Sequence, residues 1–364
     1  MKIKLTLGAA LGAVLIISGA LSIAAAKTKQ LSIPKIITKN HYGFLSAGSN
    51  DAKLIKAYGA RWVRPHPGPF LWDSIQRIEN GGYDFSGSDY AVIKYSKKKI
   101  GILATIWPFA EWDQLNKADP DACQVSDKDI FLPSSDEATG KGRTDYLPEH
   151  RCLPNDLTAY TNWVKALVER YDGDGQGDMK GLKIPIKYWE VMNEPDLTGD
   201  DTLDFWKGDE ADYATLLTQT YAAIKSADPS ANVLIAGAAG GDDQFLDFYR
   251  TVFNSYPETQ NAFDIANVHC ISSGFPESLN VEPYKNMLTQ VGLAQKPIWV
   301  TEAEYITSSD YKVNAAQTRG AVRTARQSGA SRIFFTRYGF SDSDDYGSSD
   351  QYARKQYKKI TKIK

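Results

Sequence analysis

Residues 187–200 read "KYWEVMNEPDLTGD". The stretch begins as a half-apolar run, sets an amide, Asn193, beside a carboxylate, Glu194, and stops at Pro195. Proline has no backbone donor and cannot continue a central strand, so the run ends where the two polar groups stand. Closed parallel barrels do their chemistry from the carboxyl ends of strands, and an amide–carboxylate pair in that position fits such a barrel.

The rest of the chain repeats the pattern. Short apolar runs occur at 41–45, 61–64, 100–107, 186–192, 233–237, 265–269, 297–301 and 332–336. Helix-period stretches lie between and after them, at 51–58, 87–96, 156–171, 210–227, 242–253, 281–291, 314–328 and 351–360. Strict alternation predicts an α/β fold, a (β/α)8 TIM barrel. The competing open doubly wound sheet usually carries an early glycine-rich phosphate turn, which is missing here. Asn155 or Asp156 is placed to cap the helix that carries Trp163, Leu167 and Val168 on one face, and "SADPS" stops another helix with proline.

Domain limits follow. Residues 41–364 form the barrel, 27–40 a short linker, and 1–26 a leader in which Lys2 and Lys4 precede a long apolar run ending Ala24-Ala25-Ala26. The leader reads as a signal peptide or as an uncleaved N-terminal membrane anchor. Either reading places the barrel outside the cytoplasm, secreted or at a cell-surface or periplasmic location, with a membrane as partner only if the leader stays attached. Segment 111–154 is long and aperiodic, an insertion expected to lie over the catalytic face. Cys123 and Cys152 bracket its polar part and suit a disulfide in that compartment, while Cys270 sits in an apolar run as a buried thiol. The net formal charge of −2 supplies no concentrated basic surface, which argues against nucleic acid as a partner. The chain is expected to act as a monomer.

Taken in order, the strand ends present Arg64, Trp107, Asn193 with Glu194, His269 and Glu302. Glutamates on the fourth and seventh strands face one another across a barrel mouth. Cleavage of a glycosidic bond needs such a pair, one protonated carboxyl for the leaving oxygen and one carboxylate for the sugar carbon.

In these residues the chain resembles the retaining glycoside hydrolases of clan A, and is most similar in style to glycoside hydrolase family 39 and to family 5-like enzymes. The likeness rests on "YWEVMNEPD", "KPIWVTEAEY" and "RWVRPH". It implies Glu194 as acid/base, Glu302 as nucleophile, Asn193 as a partner of the sugar 2-hydroxyl and Arg64 as the cation that keeps the nucleophile ionised. The pattern departs from these enzymes after the sixth strand, where "HCISSGF" lacks their tyrosine, so His269 or Tyr305 is expected to share its role. Glu304 is an internal rival to Glu302, or a substrate contact. His66 is a further substrate-binding candidate. Trp72, Trp107, Trp112 and Trp206 are candidates for stacking on sugar or for the core. The resemblance also places Tyr338 at the floor of the site.

"DGDGQGD" sets Asp172, Asp174, Gln176 and Asp178 at alternate positions, which suits a structural calcium or a solvated turn. The four histidines lack zinc-ligand spacing, and no serine nucleophile elbow is present. No cofactor is required. The expected activity is retaining hydrolysis of β-glycosidic bonds in a poly- or oligosaccharide, in the endo mode if the insertion walls an open cleft and the exo mode if it closes a pocket. A transglycosylase with the same residues and a non-catalytic carbohydrate-binding barrel are the alternatives.

Overall fold

Eight short parallel strands make the barrel wall: β1 (Tyr42–Leu45), β2 (Trp62–Arg64), β3 (Gly101–Ile102, resuming as Ala104–Ile106), β4 (Tyr188–Val191), β5 (Asn232–Leu234), β6 (Ala266–Ile271), β7 (Ile298–Glu304) and β8 (Ala330–Phe335). This computed structural model describes residues 30–45, 51–125, 131–136, 141–143, 147–197, 204–272, 274–341 and 351–364; the leader lies outside them. β1 pairs with β2 and β8, β2 with β3, β3 with β4, β4 with β5, and β7 with both β6 and β8. Between β5 and β6 the ring closes through the bridges Leu234↔Ile265 and Ala238↔Val268. The expected TIM barrel is present.

Side-chain alternation sorts the strands into two surfaces. Val63, Ala104, Trp189, Val233, Val268, Val300 and Ile333 belong to the large core beneath the helices. Their inward neighbours Trp62, Leu103, Leu234, Ile265, Trp299 and Phe334 pack together as the barrel floor. Arg332 shares that floor, its guanidinium carbon 3.9 Å from the Trp62 ring centroid and 4.2 Å from that of Trp299. Higher in the barrel the inward positions turn polar, with Arg64, Thr105, Glu190, Asn267 and Thr301 all buried.

The segment 27–40 is not a free linker where it is described. Leu31 N–H donates to the Gly173 carbonyl, and helix Lys35–Thr38 buries Ile37 in the floor. The Trp62 indole N–H donates to the carbonyls of Ile37 and Asn40. Burial of Ile37 and these bonds make the segment the barrel's bottom plug.

The insertion has structure of its own. It opens with helix Glu111–Gln114 and contains an antiparallel hairpin, Phe131–Asp136 with Lys141–Arg143. The expected Cys123–Cys152 disulfide is formed. Asp113 accepts from the backbone N–H groups of Asn155 and Asp156, tying the insertion's return to its start. Asp156 then caps helix Leu157–Glu169 through the N–H groups of Thr158 and Ala159. Among the described residues no helix is long and apolar enough to cross a membrane.

Candidate active site

The stop in the opening stretch is sharp because the backbone turns through left-handed conformations. Met192 has φ of +70° and Glu194 has φ of +41°. Non-glycine residues held there cost about 1–3 kcal/mol each, and such strain persists only where surrounding structure fixes it. Here it lifts Asn193 and Glu194 off the end of β4 and over the barrel axis.

A second device acts on β7. Val300 pairs with Val268 and Glu302 with His269, so two residues of β7 advance against one of β6. This bulge turns both Thr301 and Glu302 inward, whereas a regular strand would send them to opposite faces. Glu302 thereby meets Arg64 from β2, with Oε1 accepting from Nη1 at 2.6 Å. Carboxylate oxygens of Glu194 and Glu302 and a ring nitrogen of His269 all lie within 4.8 Å of one another. A glutamate pair this close falls on the retaining side of the distinction between glycosidases, since carboxyl groups are about 5–5.5 Å apart in retaining enzymes and about 6.5–9.5 Å apart in inverting ones.

Arg64 is fully buried and joins Glu190, Glu302 and Asn193 as well as His66. Its Nε donates to Glu190 Oε2 at 2.6 Å, Nη1 to Glu302, and Nη2 to Asn193 Oδ1 at 2.6 Å. Burial alone would lower its pKa, but Glu190 and Glu302 outweigh that and raise it. The resemblance led us to expect one arginine depressing one nucleophile. Arg64 instead divides its charge between two carboxylates, and burial raises the Glu302 pKa against the pull of His269 and Arg64, with Glu194 adding to the rise.

His269 Nδ1 stands 2.5 Å from Glu194 Oε1 and 3.9 Å from Glu302 Oε1. It therefore serves the expected acid/base and does not replace a tyrosine at the nucleophile. Burial disfavours its charged form, but Glu302 and Glu194 prevail and its pKa rises. His66 Nδ1 lies 3.1 Å from Arg64 Nη1 and 4.0 Å from Glu302 Oε1. Burial, then Arg64 and His269, hold His66 well below the usual imidazole range, hence neutral. The Asn193 amide uses one N–H on Glu194 Oε2 at 3.2 Å, which leaves one for a sugar hydroxyl.

Other expected site residues stand elsewhere or do other work. Glu304 is paired with Arg337 at 2.7 Å and accepts from the Thr336 hydroxyl, so it is neither an open substrate contact nor a rival nucleophile. The Tyr305 hydroxyl meets Glu277 at 3.4 Å, away from Glu302. Trp107, Trp206 and Tyr338 are buried and offer no open ring face. Trp107 donates to the Pro67 carbonyl and packs 5.6 Å from the His66 ring, making it a wall behind that histidine. Trp206 packs on Phe109, and Tyr338 stacks on Phe44 and donates to the Leu45 carbonyl. Trp112 donates to the Gln76 carbonyl and sets its ring edge against the buried Trp72. Asp172, Asp174 and Asp178 come together as expected, but the Gln176 amide donates to Asp174 rather than facing inward as an oxygen ligand. Backbone N–H groups of residues 173–176 already donate to these three carboxylates.

Sequence reasoning missed Glu190. It is fully buried and accepts from Arg64, from the Thr105 hydroxyl at 2.5 Å, from the Asn267 amide at 2.6 Å and from the Thr301 hydroxyl at 2.9 Å. Its signal was a carboxylate between Trp189 and Val191, on the inward face shared with Tyr188. Asp196 was missed too. Its carboxyl is buried and accepts from Ala239 N–H; burial pushes its pKa up to about 8, with Glu194 adding to the rise and Ala239 N–H and His269 opposing it.

No protein-family model matches the sequence, and none of the curated proteins does. Solved structures do match. A monomeric β-xylosidase from Caulobacter crescentus CB15 superposes with a TM-score of 0.61 at 18% identity, covering 92% of this chain and 70% of that one. A glucosidase from Croceicoccus marinus gives 0.59 at 16%, covering 88% and 67%. An endo-β-1,4-xylanase of glycoside hydrolase family 10 from Gloeophyllum trabeum gives 0.55 at 14%, covering 91% and 98%. At these identities the likeness establishes the fold: this chain is a (β/α)8 barrel of the architecture that several glycoside hydrolase families share.

Proposed function

We propose that this chain is an exported retaining β-glycosidase acting on a poly- or oligosaccharide. The observation that carries the reading is the approach of Glu194 and Glu302 to within 4.8 Å over the barrel mouth, with Arg64 on one and His269 on the other. In the first step Glu302 attacks the anomeric carbon as the bond to the leaving oxygen breaks and Glu194 protonates that oxygen. In the second step Glu194 takes a proton from water, and the resulting attack releases the sugar from Glu302 with net retention. Glu302 has the buried, cation-supported position that a nucleophile needs.

Similar folds belong to proteins described as a xylosidase, a glucosidase and a xylanase, which supports β-linked substrates. Endo action is the reading if the insertion, pinned by Cys123–Cys152, walls an open cleft. That disulfide also supports an oxidising compartment and, with the leader, export.

A hydrolysis screen of the barrel on β-linked glucans, xylans, mannans and aryl glycosides tests the proposal, with E194A and E302A as controls. We expect turnover of at least one substrate by the wild type and none by E302A. Tight binding of a glycan without turnover would replace the enzyme reading with the carbohydrate-binding one.

A further inference from the structure

The hydrogen bonds under the mouth form a closed circuit: Glu194, His269, Thr301, Glu190, Arg64, Asn193 and back to Glu194. Its protons can be assigned from valence alone. Both Glu190 oxygens receive groups that can only donate, Arg64 Nε–H on Oε2 and the Asn267 amide on Oε1. Thr301 Oγ1 carries one proton and lies 2.9 Å from Glu190 Oε1 and 2.9 Å from Asn267 Oδ1, two acceptors. Given to either, that proton is not available to His269. Thr301 Oγ1 then faces His269 Nε2 at 2.8 Å with lone pairs only, so Nε2 must carry hydrogen. On the other side of the ring, Nδ1 stands 2.5 Å from Glu194 Oε1, a separation that two lone pairs cannot hold without a proton between them.

We infer that the proton used by the catalytic acid is stored between Glu194 Oε1 and His269 Nδ1, and that Glu190 and Thr301 are positioning residues that keep it there by fixing hydrogen on His269 Nε2. The inference rests on Glu194 being the acid/base. During cleavage the shared proton passes through Oε1 to the leaving oxygen as Glu302 bonds to the sugar carbon. His269 is left neutral with Nε2–H, and Glu194 is left as a carboxylate. The proton that Glu194 then takes from water restores the shared bond. His269 faces Glu194, Glu302, Arg64 and His66, with Asp196 near and Glu190 reached through Thr301. The near neutralisation of three glutamates by Arg64 and a proton on His269 explains how so many carboxylates share one buried volume.

Long-range proton–nitrogen NMR on the full chain labelled with ¹⁵N-histidine tests the assignment without reference to activity. The chain has four histidines, and H269Q identifies the signal. We expect His269 Nε2 to stay protonated from about pH 5 to 8, the window in which an ordinary imidazole changes state, with Nδ1 in a shared-proton bond. A neutral ring protonated on Nδ1, with Nε2 bare, would overturn the inference. Kinetics give a second test through T301V and E190Q. Both should lose at least about 10-fold more activity on glycosides with poor leaving groups than on an activated aryl glycoside, because only the former need the acid. Equal losses would mean a structural role alone. Absence of turnover on every glycoside would sink the glycosidase reading, while the NMR result would still decide where the proton lies.

Discussion

Two arginines are buried inside the same barrel, one toward each end. Arg64 at the mouth touches two carboxylates and an amide, and the carboxylates raise its pKa. Arg332 at the floor lies between the faces of Trp62 and Trp299, and burial lowers its pKa to about 10. Its Nε and Nη1 have no hydrogen-bond partner among the described residues. Both remain charged near neutral pH, by different means. Aromatic faces stabilise a desolvated cation by about 2 kcal/mol or more and pass nothing on, which suits a floor that only has to be solid. Carboxylates stabilise it more strongly and tie its position to theirs, which suits a site where charge must move. On the proposed reading the floor is structure and the mouth is chemistry.

Substitutions separate the two. The largest effect belongs to E302A, which should lower kcat/KM by about 10⁴-fold or more while leaving the circular dichroism spectrum intact, since it removes the attacking group. Retained activity would dissolve the distinction between the two ends. R64M comes next. Removing the cation leaves Glu190 buried and unpaired, so urea denaturation should show a loss of about 3–5 kcal/mol along with lost turnover. Adding E190Q should recover part of that stability without recovering turnover.

R332M should behave differently. It exchanges a cation–π contact for a desolvation cost avoided, and stability should change by less than about 2 kcal/mol with kcat/KM within about twofold of wild type. A catalytic defect in R332M would mean the floor is not passive. The last effect is read against pH and concerns Asp196, a buried acid with neither device, which is held largely neutral at pH 7 by its pKa of about 8. A carboxyl whose folded pKa is raised from 3.8 favours folding fully below the unfolded value and loses that contribution as pH rises toward 8. D196N should remove this slope, so the mutant should gain stability relative to wild type between pH 5 and 8 in parallel melts, and a flat difference would contradict the assignment.

Much of this was legible in the residues. Apolar runs and helix periods located all eight strands, and the glutamates at 194 and 302 stood out because each terminates a run. The bulge on β7 was not legible, because nothing in "WVTEAE" says that one residue is absorbed between Val300 and Glu302. Nor was the depth of the tryptophans. An indole at a strand end suits a sugar or a neighbouring helix equally, and Trp107 and Trp206 went to the neighbour. Glu190 was hidden by Glu194 four residues on, although an acid between Trp189 and Val191 already asked for a buried cation. "PKIIT" looked like a connection because a single buried isoleucine makes no period; its docking on Trp62 needs the floor to exist first.

The central claim is that two glutamates less than 5 Å apart cleave a glycoside through a covalent intermediate. Proton NMR of the first product formed from a β-linked substrate tests it most directly. The account predicts the β anomer first, with the α anomer growing in only by mutarotation. An α anomer at the earliest time points would mean that water, not Glu302, attacks the sugar, and would contradict the mechanism.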